Sequence, residues 1–322
     1  MRSLTCAVSQ IATLGCFSLA VPERMPANSP GGNAIMNIRT VDEKNRVVVA
    51  SIGPVGGGGG GTPKHDGPDG SGGLSAFLKN TPIEINEVEV PILFKRYGLQ
   101  PDTAGPGRYR GGLATVMEFR VSAPNTVVTA RNRNRSVFAS AGALGGRSGA
   151  TSTFTTNPGT PAAVEHGNRD VIKCGPGDVV RVVGPGAGGY GLPRERDPQA
   201  VLRDWRCGFV SLERARQDYG VAIRDGDIDA AETARLRAGM PATPDRHFEY
   251  GPARSAFEQL WTRERYATLT EFLADSPVVW RHFLKHRVFA AVENGSHAGR
   301  PVREQMMAIF ADIRAEFPAL GE

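Results

Sequence analysis

Three arginines alternate in the segment Arg131-Asn-Arg133-Asn-Arg135. At strand spacing their side chains point to one face, where converging guanidinium groups suit a carboxylate or a phosphate. A solvated edge strand explains the same pattern, and on the residues alone both readings stand. A run of six glycines, Gly56–Gly61, is a second candidate, because bare backbone N–H groups can wrap an anion. Lys64 stands alone after it, however, and no G-x-x-x-x-G-K-[S/T] is present. A mobile surface loop is therefore the favoured reading of the glycine run, since such runs reflect low backbone constraint. The loop also carries Asp66-Gly67 and Asp69-Gly70, followed by Asn80-Thr81-Pro82.

Two further patterns mimic known sites. Gly186-Ala-Gly188-Gly-Tyr-Gly191 matches G-x-G-x-x-G after an expected strand. Pro193 falls where the helix of a dinucleotide fold should open, and no βαβ unit surrounds the motif, so nucleotide binding is not expected there. His282 and His286 lie four apart on an expected helix and can face one ion. Phe283 stands where a zinc protease would place its Glu, and no third ligand is evident, so the pair reads as ordinary surface. No metal ligand set is assigned, and no catalytic residue is named.

The elements that must hold these groups are mostly β. The chain has 322 residues with 40 glycines and 23 prolines, which favours many turns over a helix bundle. Short strand patterns separated by Gly and Pro run from residue 83 to 183, including an alternating Glu84–Val90 and the runs Leu113–Val121, Thr126–Ala130, Thr151–Thr155 and Val179–Val183. Residues 1–20 read as a helix, and residues 27–55 as irregular with strand-like pieces. Asp197-Pro198, Ser211 and Asp229 open three short helices, and Gly220 closes the second. After a linker over 240–252, apolar stripes predict helices over 253–274, 277–292 and 301–317. The expected fold is α+β: an antiparallel, sandwich-like β core with flanking helices and a C-terminal helical extension. The expected domains are 1–240 and 241–322.

Composition narrows the function classes. A net charge of +5 without a dense basic block gives no basis for nucleic-acid binding. No apolar run is long enough for a transmembrane helix, so no membrane partner is expected. Cys6, Cys16, Cys174 and Cys207 form no C-x-x-C pair and read as buried thiols in a reducing compartment, which places the protein in the cytoplasm.

Residues Pro91–Ser122 join an apolar run, a Gly/Pro turn holding Asp102, the element Arg108-Tyr-Arg110-Gly-Gly112 and a second apolar run. Together with the glycine loop, Asn80-Thr-Pro82, Pro185–Pro198, Gly208–Ser211 and Asp218–Val221, this resembles the hydantoinase B family. Its members are the metal-binding subunits and domains of 5-oxoprolinase, N-methylhydantoinase and the acetone and acetophenone carboxylases. The resemblance covers about residues 11–223 and implies a subunit or fragment of an ATP-dependent enzyme acting on cyclic amides or ketones. It implies a hydantoinase A-like partner that binds ATP and phosphorylates an amide or enol oxygen. It also implies a divalent metal held by His and Asp residues that precede the matched region. This sequence has no H-x-x-D and no His before His65, so by resemblance it is a carboxy-terminal half: the product of a split gene whose missing half is a further partner chain, of a truncated reading frame, or a diverged stand-alone scaffold. ATP and metal are then expected in the full assembly, with no cofactor in this chain. Asp66, Asp69, Asn80, Arg131 and Arg133 are the expected substrate contacts. Family members often carry a His where this chain reads Gly73-Leu74-Ser75, so no role for it carries over. A non-catalytic scaffold that has lost the metal-binding half is the competing expectation.

Overall fold

The computed structural model describes residues 2–32, 34–70, 80–131 and 134–318. Two compact units divide between Ala253 and Arg254. In the first, helix α1 (Arg2–Ala20) leads into a hairpin of β1 (Ala34–Val41) and β2 (Val47–Val55). The hairpin reverses at Asp42, whose carboxylate accepts from the backbone N–H groups of Lys44 and Arg46, with Asn45 at φ 59°. A helix, α2 (Ile83–Glu89), precedes strands β3 (Ile92–Leu99), β4 (Thr115–Val121) and β5 (Thr126–Arg131). There follow β6 (Gly142–Ala143), β7 (Thr153–Thr156), β8 (Val164–Glu165), β9 (Val171–Cys174) and β10 (Val179–Val183).

These strands make two antiparallel sheets, ordered β2-β1-β5-β9 and β3-β4-β10-β7-β8. Alternate residues of both sheets enter one apolar cluster. Met36, Ile38, Ile52 and Val128 come from the first sheet, and Met117, Phe119, Phe154 and Val182 from the second. Two sheets that bury their inner faces in one core form a sandwich. The α+β expectation therefore holds.

The alternating Glu84–Val90 is a helix and not a strand. Its apolar members Ile85 and Val88 are 49% and 89% exposed, while Asn86 is buried. The period-two pattern did not mark a buried face, and three glutamates in seven residues suit a helix after Pro82. The Glu87 carboxylate then accepts from the Phe94 N–H at 2.7 Å, tying the helix to β3.

Local chemistry sets the short helices α3 (Pro198–Arg206), α4 (Leu212–Tyr219) and α5 (Ala230–Ala238). Asp197, Ser211 and Asp229 each accept an N–H of the first turn, and Gly220 ends α4 at φ 60°. Between them, β11 (Ile223–Arg224) pairs with β12 (Asp227–Ile228). The expected linker contains a strand, β13 (Phe248–Glu249), which pairs with β6. That pairing keeps residues 241–253 with the first unit.

The second unit takes in most of α6 (Pro252–Leu260) with α7 (Arg263–Ala274), α8 (Val278–Glu293) and α9 (Val302–Glu316). The single helix expected over 253–274 breaks at Thr262, whose hydroxyl caps α7 by accepting the Arg265 N–H. Trp261, Leu269, Leu284, Val288, Met306 and Phe310 form its core. All four cysteines are free thiols, but only Cys174 is buried. Among the described residues no helix is long and apolar enough to cross a membrane.

Candidate functional site

The six glycines are a buried part of the first unit and not a mobile surface loop. A methyl group on Gly60 would lie 1.8 Å from the Ala27 carbonyl oxygen, and one on Gly58 would lie 2.1 Å from that of Gly112. The run lies against the other glycine-rich segments through main-chain bonds. Gly59 N–H donates to the Pro68 oxygen, Gly61 N–H to Gly188, and Gly112 N–H back to Gly59. Only glycine permits such close approach of one backbone to another. In the G-x-G-x-x-G segment every N–H from Gly186 to Gly191 is donated to a protein carbonyl, those of Ala150, Gly112, Asn28, Arg147, Tyr109 and Ala143 in order. The donors that a pyrophosphate would need are already used.

Beside this bundle lies a ladder of five charged side chains. Arg196, 3% exposed, grips both oxygens of Asp66 at 2.6 and 2.7 Å and reaches Asp204 at 2.7 Å. Arg110, 5% exposed, meets the other Asp204 oxygen at 3.3 Å and grips Asp69 at 2.7 and 3.1 Å. Asp66 also accepts the Arg110 backbone N–H, and Asp69 that of Leu113. The Tyr219 and Phe209 rings lie under the Arg196 and Arg110 guanidiniums. Asp66 and Asp69 thus pin the glycine loop to the Arg-Tyr-Arg-Gly-Gly element, and Asp204 pins both to α3. Burial acts to raise the Asp66 pKa, but hydrogen bonds and charge from Arg196, with help from Arg110, lower it overall. Arg110 also donates to the Gly111 carbonyl of its own turn.

Two clefts open on this frame. One, of about 410 Å³, is lined by His65, Asp66, Arg108, Tyr109, Arg196 and Arg203. Neither Arg108 nor Arg203 has an acidic partner within salt-bridge reach among the described residues. The other, of about 510 Å³, is lined by Asp102, Arg147, Arg214, Asp218 and Glu249 among others. Asp218 is buried and meets Arg147 and Arg214 at 3.2 Å each. Burial raises its pKa, with a smaller contribution from Asp102, and outweighs the opposing arginines. The cleft thus sets one buried carboxyl between two guanidiniums that are themselves partly open to solvent. The sequence contained no local signal for Asp218 beyond its place in the Asp218–Val221 segment.

Three of the expected contacts have described side chains. Asp66 lines a cleft and Asp69 is bound up with Arg110, while Asn80 is exposed. Strand β5 ends at Arg131, and Arg135 adopts φ 57°, so the period-two alternation does not continue to it. Arg133 lies outside the described residues. Among the described residues no three His, Cys, Asp or Glu side chains converge as a metal set. The carboxylates of the ladder are already closed on guanidiniums, so these residues do not fit a metal.

The model of the hydantoinase B/oxoprolinase family matches residues 1–193, more than half of the chain. The caprolactamase subunit beta of Pseudomonas jessenii is 33% identical over 234 residues, which are 68% of this chain and 39% of that one. The crystal structure of the ATP-dependent caprolactamase from that organism superposes with a TM-score of 0.59 at 27% identity, over 69% of this chain and 40% of the other. A nucleotide-free acetone carboxylase structure gives the same TM-score of 0.59 over 93% of this chain and 41% of the other. At 19% identity that second match speaks for the fold alone. The chain spans 28–39% of the length of three curated relatives it matches. Its glycine bundle, its paired Arg-Tyr-Arg-Gly-Gly and Gly-Tyr-Gly segments and its sequence therefore have one account: the chain belongs to the hydantoinase B/oxoprolinase family.

Proposed function

We propose that this chain is the β-rich portion of an ATP-dependent enzyme that acts on a cyclic amide or a ketone. The observation that carries the reading is the family match over residues 1–193, which contains both motif segments of the glycine bundle. In this reading a hydantoinase A-like subunit binds ATP and transfers its terminal phosphoryl group to an amide or enol oxygen. A further stretch of polypeptide holds the divalent metal. Phosphorylation turns a poor electrophile or an unreactive ketone into an activated one, and the present chain supplies walls of the chamber where that species reacts.

Arg147 and Arg214 give the larger cleft its anion contacts. A guanidinium has five N–H donors, and one from each of these two goes to Asp218. Asp66 and Asp69 act as struts that set the shape of the smaller cleft. Asn80, Arg131 and Arg133 remain proposed substrate contacts on the same unit.

The test is coexpression with an ATP-binding subunit and a metal-bearing chain of the same family. ATP hydrolysis should depend on 5-oxoproline, a hydantoin, a lactam or a ketone. In that assembly, alanine at Arg147 and Arg214 should raise KM more than it lowers kcat. A stable complex with no substrate-dependent ATP turnover would overturn the enzyme reading in favour of a scaffold.

A further inference from the structure

The histidine pair on α8 has a geometry that its sequence spacing alone does not require. The two Nε2 atoms of His282 and His286 lie 3.2 Å apart, with ring centroids at 4.4 Å and ring planes at 63°. The two outer nitrogens therefore lie within hydrogen-bond reach of each other on the exposed face of the helix. At metal–nitrogen distances of about 2.0–2.1 Å, two imidazoles on one tetrahedral ion have nitrogens about 3.3 Å apart, and cis ligands of an octahedral ion about 2.9 Å. The observed separation lies between the two.

The surroundings agree. The other four histidines have partners elsewhere: His65 with the Asp66 carbonyl, His166 with Thr156, His247 with Ser18 and His297 with Asp312. The nearby cations are turned to other tasks. Lys285 lies over the Phe289 ring, Arg281 donates to the Ser276 and Ala274 carbonyls, and Arg287 pairs with Glu316. The backbone beneath is a sixteen-residue helix anchored by Leu284, Val288 and Val292 in the core of the second unit, so the spacing is preorganised.

We propose that His282 and His286 bind a borderline transition-metal ion of the Zn²⁺ or Ni²⁺ class on the exposed face of α8. Both imidazoles bind as neutral Nε2 ligands with the proton on Nδ1. The remaining coordination positions are open to water or to a ligand from another molecule. Two nitrogen donors without a carboxylate select against Mg²⁺ and Ca²⁺, which require oxygen. The inference stands apart from the catalytic reading, since it rests on residues of the helical unit alone.

The test is a calorimetric titration of the full chain with Ni²⁺, after alkylation of the exposed thiols Cys6, Cys16 and Cys207, which would otherwise compete. The native sequence should take up one equivalent at this site. H282A and H286A should each lose at least about tenfold in affinity, because the second ligand binds at a high effective concentration once the first is engaged. Both side chains are exposed, so the variants should keep the native circular dichroism. Equal affinity in all three chains, or no uptake by the native one, would show that the rings share only an N–H···N hydrogen bond and would overturn the site.

Discussion

The glycine bundle and the helical unit reach stability by opposite means. In the bundle, backbones touch because side chains are missing, and the bonds between segments are amide to carbonyl. In the helical unit, backbones are kept apart by large rings. Trp261 stacks on Phe289 at 4.0 Å, and Phe272 meets Phe310 at 4.7 Å. The first arrangement forbids added atoms, whereas the second is harmed by removed ones. A single rule for which substitutions this chain tolerates therefore does not exist.

The contrast is most exposed to a methyl group. Gly60→Ala places its Cβ 1.8 Å from a carbonyl oxygen, and Gly186→Ala places one 1.6 Å from that of Thr103. Each is expected to cost about 5 kcal/mol or more and to leave no soluble folded chain. Gly98→Ala meets nothing within 4 Å, and should shift stability by less than about 0.5 kcal/mol in a denaturant melt. If Gly60→Ala melts like Gly98→Ala, the close-packed backbone description is wrong.

Removing large groups should separate the two regions next. Arg196→Met leaves Asp66 and Asp204 without their shared partner, and should cost about 3–5 kcal/mol in the β unit. Trp261→Ala should cost a similar amount, about 3–5 kcal/mol, in the helical unit. Tryptophan and tyrosine fluorescence read against far-ultraviolet dichroism will show which unit each change melts. A loss shared equally by both units in either variant would break the comparison.

The smallest effect is in pH dependence, and it sharpens the picture inside the β unit. The Asp66 pKa is lowered, so its stabilisation is complete above about pH 4 and is lost as pH falls through the folded value. The Asp218 pKa is raised. Its folded form holds a proton that the unfolded form gives up near pH 4, so this group costs stability as pH rises above that point. Urea melts between pH 3 and 6 should show the acid-side loss shrink in Asp66→Asn. The loss on rising pH should shrink in Asp218→Asn.

What the sequence revealed follows from range of interaction. The caps at Asp197, Ser211 and Asp229 were legible because each bonds an N–H two or three residues away. Strand Val179–Val183 was legible because one of its faces enters the core. The glycine run was misread because glycine permits both loose loops and close contacts, and only the facing segments decide which. Asp66 is legible as a candidate, but its partners are not. Its partner Arg196 stands 130 positions away, and Arg110 and Asp204 are 94 apart. The helix Ile83–Glu89 was missed because its alternating apolar residues face outward.

The lack of side chains in the bundle also has a thermal consequence. Unfolding it uncovers mainly peptide groups, and polar exposure lowers heat capacity where apolar exposure raises it. Each glycine released gains more backbone entropy than any other residue would. This part of the molecule should therefore contribute little curvature to the stability curve. Its free energy should fall almost linearly with warming, while the aromatic helices carry the cold-side curvature.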